Sequence, residues 1–129
     1  MARSAPDGYT LALTTIAHNG AVKLYKNLRY DPTTELVPVA LMAESPSVLL
    51  VNENVPAKSV RDLLALAQSK PGTLNYASGG TGSASHVNAE KFRFATAIDA
   101  VHVPLKGAPD MVVEMIAGRT HFGFMPIIA

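Results

Sequence analysis

From residue 47 onward, short apolar runs and amphipathic segments alternate in a way that leaves few folds open. Residues 47–51 form a β-like run, and 60–69 follow as a helix: Ser59 is a good N-cap, and Asp62 places an acid three residues on. Val60, Leu63, Leu64 and Ala67 give that helix one apolar stripe, and Lys70-Pro71-Gly72 stops it. A strand at 74–77, a helix at 83–94, a strand at 99–103, a helix from Pro109 to a Gly118 stop and a strand at 122–125 complete the series. The resulting β-α-β-α-β-α-β order predicts an α/β chain with a mostly parallel sheet and helices on both faces. In such sheets ligands sit beyond the carboxyl ends of the strands, in the strand-to-helix loops.

The first 46 residues read less regularly. Pro6-Asp7-Gly8 is a turn, after which 9–14 is expected as a strand and 19–27 as a short helix ended by Tyr30-Asp31-Pro32. Residues 36–43 are a further β-like run, separated from the next by a Glu44-Ser45-Pro46 break.

Composition removes several classes of function. Eleven basic residues against 10 acidic, with no Lys/Arg cluster longer than two, leave no footprint for nucleic acid. Cysteine is absent, which excludes disulfides, thiolate metal sites and cysteine nucleophiles. No apolar run is long enough to span a bilayer. The four histidines show no helical pair spacing and join no carboxylate cluster, so no metal is expected, and no cofactor either.

Three loops follow strands. Ser78-Gly79-Gly80-Thr81-Gly82-Ser83 carries the strongest signal, because it opens a helix whose first N–H groups lack intrahelical partners and whose dipole favours an anion. The glycines allow close approach, and Ser78, Thr81 and Ser83 add hydroxyls; the plainer alternative is a tight turn capped by Ser83. Enzymatic fingerprints fail here. A dinucleotide motif would want glycine where Ser85 stands, a P-loop would want a lysine, and Gly-x-Ser-x-Gly occurs nowhere. His86, in the first turn of the following helix, either donates to an anion or bonds locally. His102 lies within a strand and is read as a hydrogen-bonded core histidine; His121 carries no role. In the loop after the first strand, His18 faces either the same cleft or solvent. Lys106-Gly107, at the next helix start, offers a cation and an N–H or is simply solvated.

A series of motifs resembles the tripartite tricarboxylate transporter receptors, also called Bug receptors. They are Pro-Asp-Gly-Tyr-Thr (6–10), Leu-Tyr-Lys-Asn-Leu-Arg-Tyr-Asp-Pro (24–32), Pro-Ala-Lys-Ser-Val-Arg-Asp-Leu (56–63), Lys-Pro-Gly-Thr-Leu-Asn-Tyr-Ala-Ser-Gly-Gly-Thr-Gly-Ser (70–83) and His-Val-Pro-Leu-Lys-Gly (102–107). The resemblance implies a type II periplasmic-binding-protein fold, in part, and a non-enzymatic extracytoplasmic receptor. Such a receptor captures a small organic di- or tricarboxylate and passes it to membrane permease subunits, and a periplasmic location is implied with it. Residues 1–45 would be part of the first domain and 46–129 most of the second. Thr15, Ala17 and His18 would line the first domain's wall; Ser78, Gly79, Gly80, Thr81, Gly82 and Ser83 would clamp a carboxylate, with His86, Lys106 and Gly107 nearby. Leu105 stands where an aromatic is usual in the family, and His121 where an acid is common. Both ends read as those of an internal fragment, without a signal peptide. A homodimer or swapped oligomer, paired through the strand at 122–125, is therefore expected. The alternative from another class is an α/β enzyme domain holding a phosphate or cofactor in the Gly loop.

Overall fold

The computed structural model describes residues 2–16, 18, 20 and 25–127. The chain divides into two compact units, Met1–Glu44 and Ser45–Ala129.

The second unit contains β1 (Ser47–Val51), α1 (Val60–Ser69), β2 (Leu74–Ser78), α2 (Ala84–Thr96), β3 (Ala100–Pro104), α3 (Ala108–Ile116) and β4 (Phe122–Pro126). The sheet order is β1-β4-β2-β3. β2 runs parallel to both β3 and β4, while β1 pairs antiparallel with β4. The sheet is thus mostly parallel, with one antiparallel edge strand. β4 lies between β1 and β2, so the strand expected to pair with another copy has both of its edges occupied. Chain order hides this, because the last strand inserts beside the first.

Side-chain alternation divides the core in two. Leu74, Tyr76, Ala100 and Phe122 on one face pack with Leu63 and Ala67 of α1 and Ala89 of α2. On the other face Ala77 packs with Met111 and Met115 of α3, together with Leu105. Gly123 keeps that second interface thin, since a Cβ there would meet the Ala77 carbonyl at 3.2 Å.

Local signals explain the helix boundaries. The Ser59 hydroxyl accepts the Asp62 N–H at 3.2 Å, and the Asp62 carboxylate reaches back to the Lys58 N–H at 3.1 Å. Leu63 and Ala67 are buried, but Val60 is 50% exposed, so the apolar stripe is narrower than predicted. A helix's first turn overhangs the core here, and its first apolar residue finds no neighbour.

The first unit departs most from expectation. Residues 9–14 and 36–43 form no strand. Their apolar side chains stand in solvent, with Tyr9 92%, Leu13 82% and Val39 81% exposed. Period-two alternation makes a segment competent for a sheet, but a strand exists only when a neighbour takes its backbone bonds. Residues 16, 18 and 20 are helical, while 25–27 are not; the remainder of the helix expected at 19–27 lies outside the described residues. A turn at Asp31 is well defined, its carboxylate accepting the Thr33 N–H at 2.8 Å.

Candidate functional site

The carboxyl ends of β2 and β3 lie side by side, because their register pairs Ser78 with Pro104. The loops leaving those ends start α2 and α3. They touch through glycine: a Cβ built on Gly79 would lie 3.3 Å from the Gly107 Cα and 3.7 Å from the Ala108 nitrogen. Gly80 and Gly107 adopt φ of +118° and +115°, a backbone region that side-chain-bearing residues rarely enter. The loop entering the 13-residue α2 therefore meets the residue that precedes the nine-residue α3.

Which N–H groups remain available there is decided by the loop's own bonds. The Gly79 N–H donates to the Ser85 hydroxyl at 2.9 Å, and the Gly80 N–H to the Ser78 hydroxyl at 3.2 Å. The Gly82 N–H donates to His86 Nδ1 at 3.0 Å, and the Ser83 N–H to the Gly80 carbonyl at 3.1 Å. Ser83 caps α2, its hydroxyl accepting the His86 N–H at 3.3 Å. Among the described residues, the N–H groups of Thr81, Ala84 and Ser85 have no acceptor. α2 carries no acidic residue in its first turn, and Gly107 gives α3 no side-chain cap. Unpartnered N–H groups at the start of α2, whose first turn holds no acid, make a favourable seat for one carboxylate, although α3 carries Asp110 in its own first turn.

The sequence-selected residues thus separate into roles. Thr81 is exposed and Ser83 half-buried at the open face, and Lys106 is exposed on the neighbouring loop, adjoining Gly107. Ser78 is fully buried, its hydroxyl facing inward to His102 Nε2 at 2.6 Å. His86 bonds locally, as one of its two readings had it, through Gly82 and the His102 ring. His102 is hydrogen-bonded as expected, but half-buried rather than in the core. His121 has a task that the sequence did not reveal: its Nδ1 accepts the Asn75 N–H at 3.0 Å, at the opposite end of the sheet.

Thr15 and His18 belong to the first unit. The Thr15 carbonyl accepts the His18 N–H at 2.9 Å, and His18 Nε2 meets the Pro32 carbonyl at 3.3 Å. Ala17 lies outside the described residues.

Sequence reasoning missed Ser85, whose hydroxyl holds Gly79, and the ion pair behind the loop. There the Arg93 guanidinium donates to the Glu90 carboxylate at 2.8 Å, and the Tyr76 hydroxyl donates to the same oxygen. Burial, then the bond to Glu90, pushes the Tyr76 phenol well above its ordinary range. Burial opposes ionisation of Glu90, but the bonds from Tyr76 and Arg93 outweigh it and hold that carboxyl below the usual range. The spacing of Glu90 and Arg93 on α2 was a usable signal; their meeting with Tyr76 on β2 was not. No cluster able to hold a metal ion occurs among the described residues.

Residues 1–127 match the tripartite tricarboxylate transporter family receptor. Protein BugT of Bordetella pertussis is 33% identical over 119 residues, covering 91% of this chain and 36% of its own length. An R. palustris protein solved with adipate aligns at a TM-score of 0.83 and 32% identity, over 98% of this chain and 42% of that one. The periplasmic binding protein BugD shares the fold, with a TM-score of 0.81 at 24% identity over 97% of this chain and 42% of its own. This chain therefore spans about two fifths of the length of these relatives. The fold is that of periplasmic-binding-protein solute receptors, in part, and the family and its structural neighbours are receptors rather than enzymes. The chain belongs to the tripartite tricarboxylate transporter family of receptors.

Proposed function

We propose that this chain forms part of an extracytoplasmic receptor that captures a small organic di- or tricarboxylate for a tripartite tricarboxylate-type transporter. The observation that carries the reading is the Gly79–Gly107 approach, which brings the loop entering α2 against the residue preceding α3, next to the unpartnered N–H groups of an α2 first turn that holds no acid. One carboxylate group of the ligand accepts from the Thr81, Ala84 and Ser85 N–H groups, and the Lys106 ammonium adds a long-range attraction. A relative solved with adipate, a dicarboxylate, supports the ligand class. Residues 46–129 supply most of one domain of the trap and 1–45 part of the other. Thr15, Ala17 and His18 are assigned to the facing wall, membrane permease subunits are the receiving partners, and the periplasm is the site of action.

The test is to replace Ala84 with proline. Proline is tolerated at the first helical position, and Ser83 already has the extended ψ of 163° that a following proline needs. Ala84→Pro removes one N–H without breaking α2. Titration calorimetry with adipate and citrate is expected to show affinity reduced about tenfold, since a bond to a charged group is worth roughly 1.5–3 kcal/mol. Unchanged affinity would take this seat out of the binding site. Stabilisation by nucleotides in place of carboxylates would overturn the receptor reading itself.

A further inference from the structure

Behind the Gly loop stands a column of rings that the carboxylate seat does not use directly. The His86 and His102 rings stack 4.1 Å apart and 11° from parallel, and Tyr76 stacks on His102 at 4.9 Å. Each imidazole controls one amide of the loop. His86 Nδ1 accepts the Gly82 N–H, and His102 Nε2 bonds the buried Ser78 hydroxyl, whose oxygen accepts the Gly80 N–H. A backbone amide can only donate, so His86 Nδ1 carries no proton when this loop is formed.

We infer that His86 and His102 are positioning residues, a neutral stacked pair that turns the Gly80 and Gly82 amides inward and so aims the Thr81, Ala84 and Ser85 amides at the ligand, and that protonation of the pair releases the loop. The inference rests on the carboxylate reading for its ligand and on the loop geometry for its mechanism.

A proton placed on His86 Nδ1 would point N–H at N–H and abolish the Gly82 bond. Two imidazolium rings at stacking distance also repel each other. The groups around the pair do little to compensate. From α2, Glu90 lies 4.0 Å from His86 Nε2, but its carboxylate is already taken by Arg93 of the same helix. β2 contributes the neutral Tyr76 phenol, bonded to that same Glu90, and the Ser78 hydroxyl. β4 contributes the apolar Phe122 ring against Tyr76. Burial first, and the His86 charge next, holds the His102 imidazole below the ordinary histidine range. A depressed folded value means the unfolded chain binds that proton more readily. The contribution to stability is therefore complete above the ordinary value near pH 6.5 and is lost as pH falls through the folded one.

Two variants separate positioning from mere packing. His86→Phe keeps a ring to stack on His102 but has no acceptor; His86→Asn puts an oxygen near the Nδ1 position and does not titrate. Amide exchange of the ligand-free protein near pH 7.5 reads the loop alone. Gly82 protection is expected to fall about tenfold or more in His86→Phe, with thermal melting little changed, and to recover in His86→Asn. Adipate titration then reads the consequence. Wild-type affinity is expected to fall about tenfold as pH is lowered through the depressed His102 value, and the His102→Gln profile to be flatter. Should His86→Phe destabilise the fold, His102→Gln, which keeps a polar group near Nε2, is expected to preserve Gly80 protection while His102→Leu loses it. Gly82 protection and a pH profile unchanged in His86→Phe would overturn the inference. If the exchange results hold but no variant, nor the wild type, binds adipate or citrate, the loop lock stands and the carboxylate reading falls.

Discussion

The N-termini of α1 and α2 are built to opposite ends. α1 brings its own anion: Asp62 and Ser59 close the first turn between them. α2 is capped by Ser83 without any acid in its first turn, and its remaining N–H groups point outward. The same chemical problem, four orphan donors and a positive dipole end, is solved internally in one helix and left open in the other. A helix start that serves only the fold can supply its own carboxylate; the vacant start of α2 is the one that the proposed ligand would use. α3 falls between, with an open Gly107 start but an exposed Asp110 nearby.

The contrast can be broken by making α2 resemble α1. Ala84→Glu would place a carboxylate at the open seat, and adipate affinity is expected to fall about 100-fold while the melting temperature holds or rises slightly. Retained affinity would show that the seat is not where the ligand binds. The reverse experiment is Ser59→Ala, which should cost about 1 kcal/mol of stability by chemical denaturation and leave adipate binding unchanged. Asp110→Asn sharpens the intermediate case: removing the one acid in α3's first turn is expected to tighten adipate binding about twofold, most visibly at low ionic strength. A weaker complex would mean that Asp110 contacts the ligand.

What could be read from the sequence follows the range of the forces involved. Helix starts and stops at Ser59, Ser83, Pro109 and Gly118 are settled within a few residues, and the structure agrees with them. The strands at 74–78 and 122–126 were legible for the same reason. The insertion of β4 between β1 and β2 was not, since pairing partners are chosen over the whole unit. Residues 9–14 and 36–43 show the same limit from the other side, for their apolar content is real and their sheet is absent among the described residues. At the site, the Gly/Ser composition pointed to the loop, but not to which of its amides stay open. That depends on Ser85, His86 and His102, and the last is 16 residues from its stacking partner on another element. Gly79 signalled close approach without naming Gly107 as the neighbour.

The contact between those two glycines has a consequence for selectivity. In the language of coordination chemistry, the proposed seat would act as a chelating group whose bite is set by backbone, since a methyl on Gly79 would crowd the Gly107 Cα at 3.3 Å. His86, His102 and Asp110 would tune how strongly the first carboxylate is held, while the Gly79–Gly107 spacing, set by backbone, would be shared by receptors that keep both glycines. Discrimination among diacids of different length or branching would then fall entirely to the groups that meet the ligand's distal end.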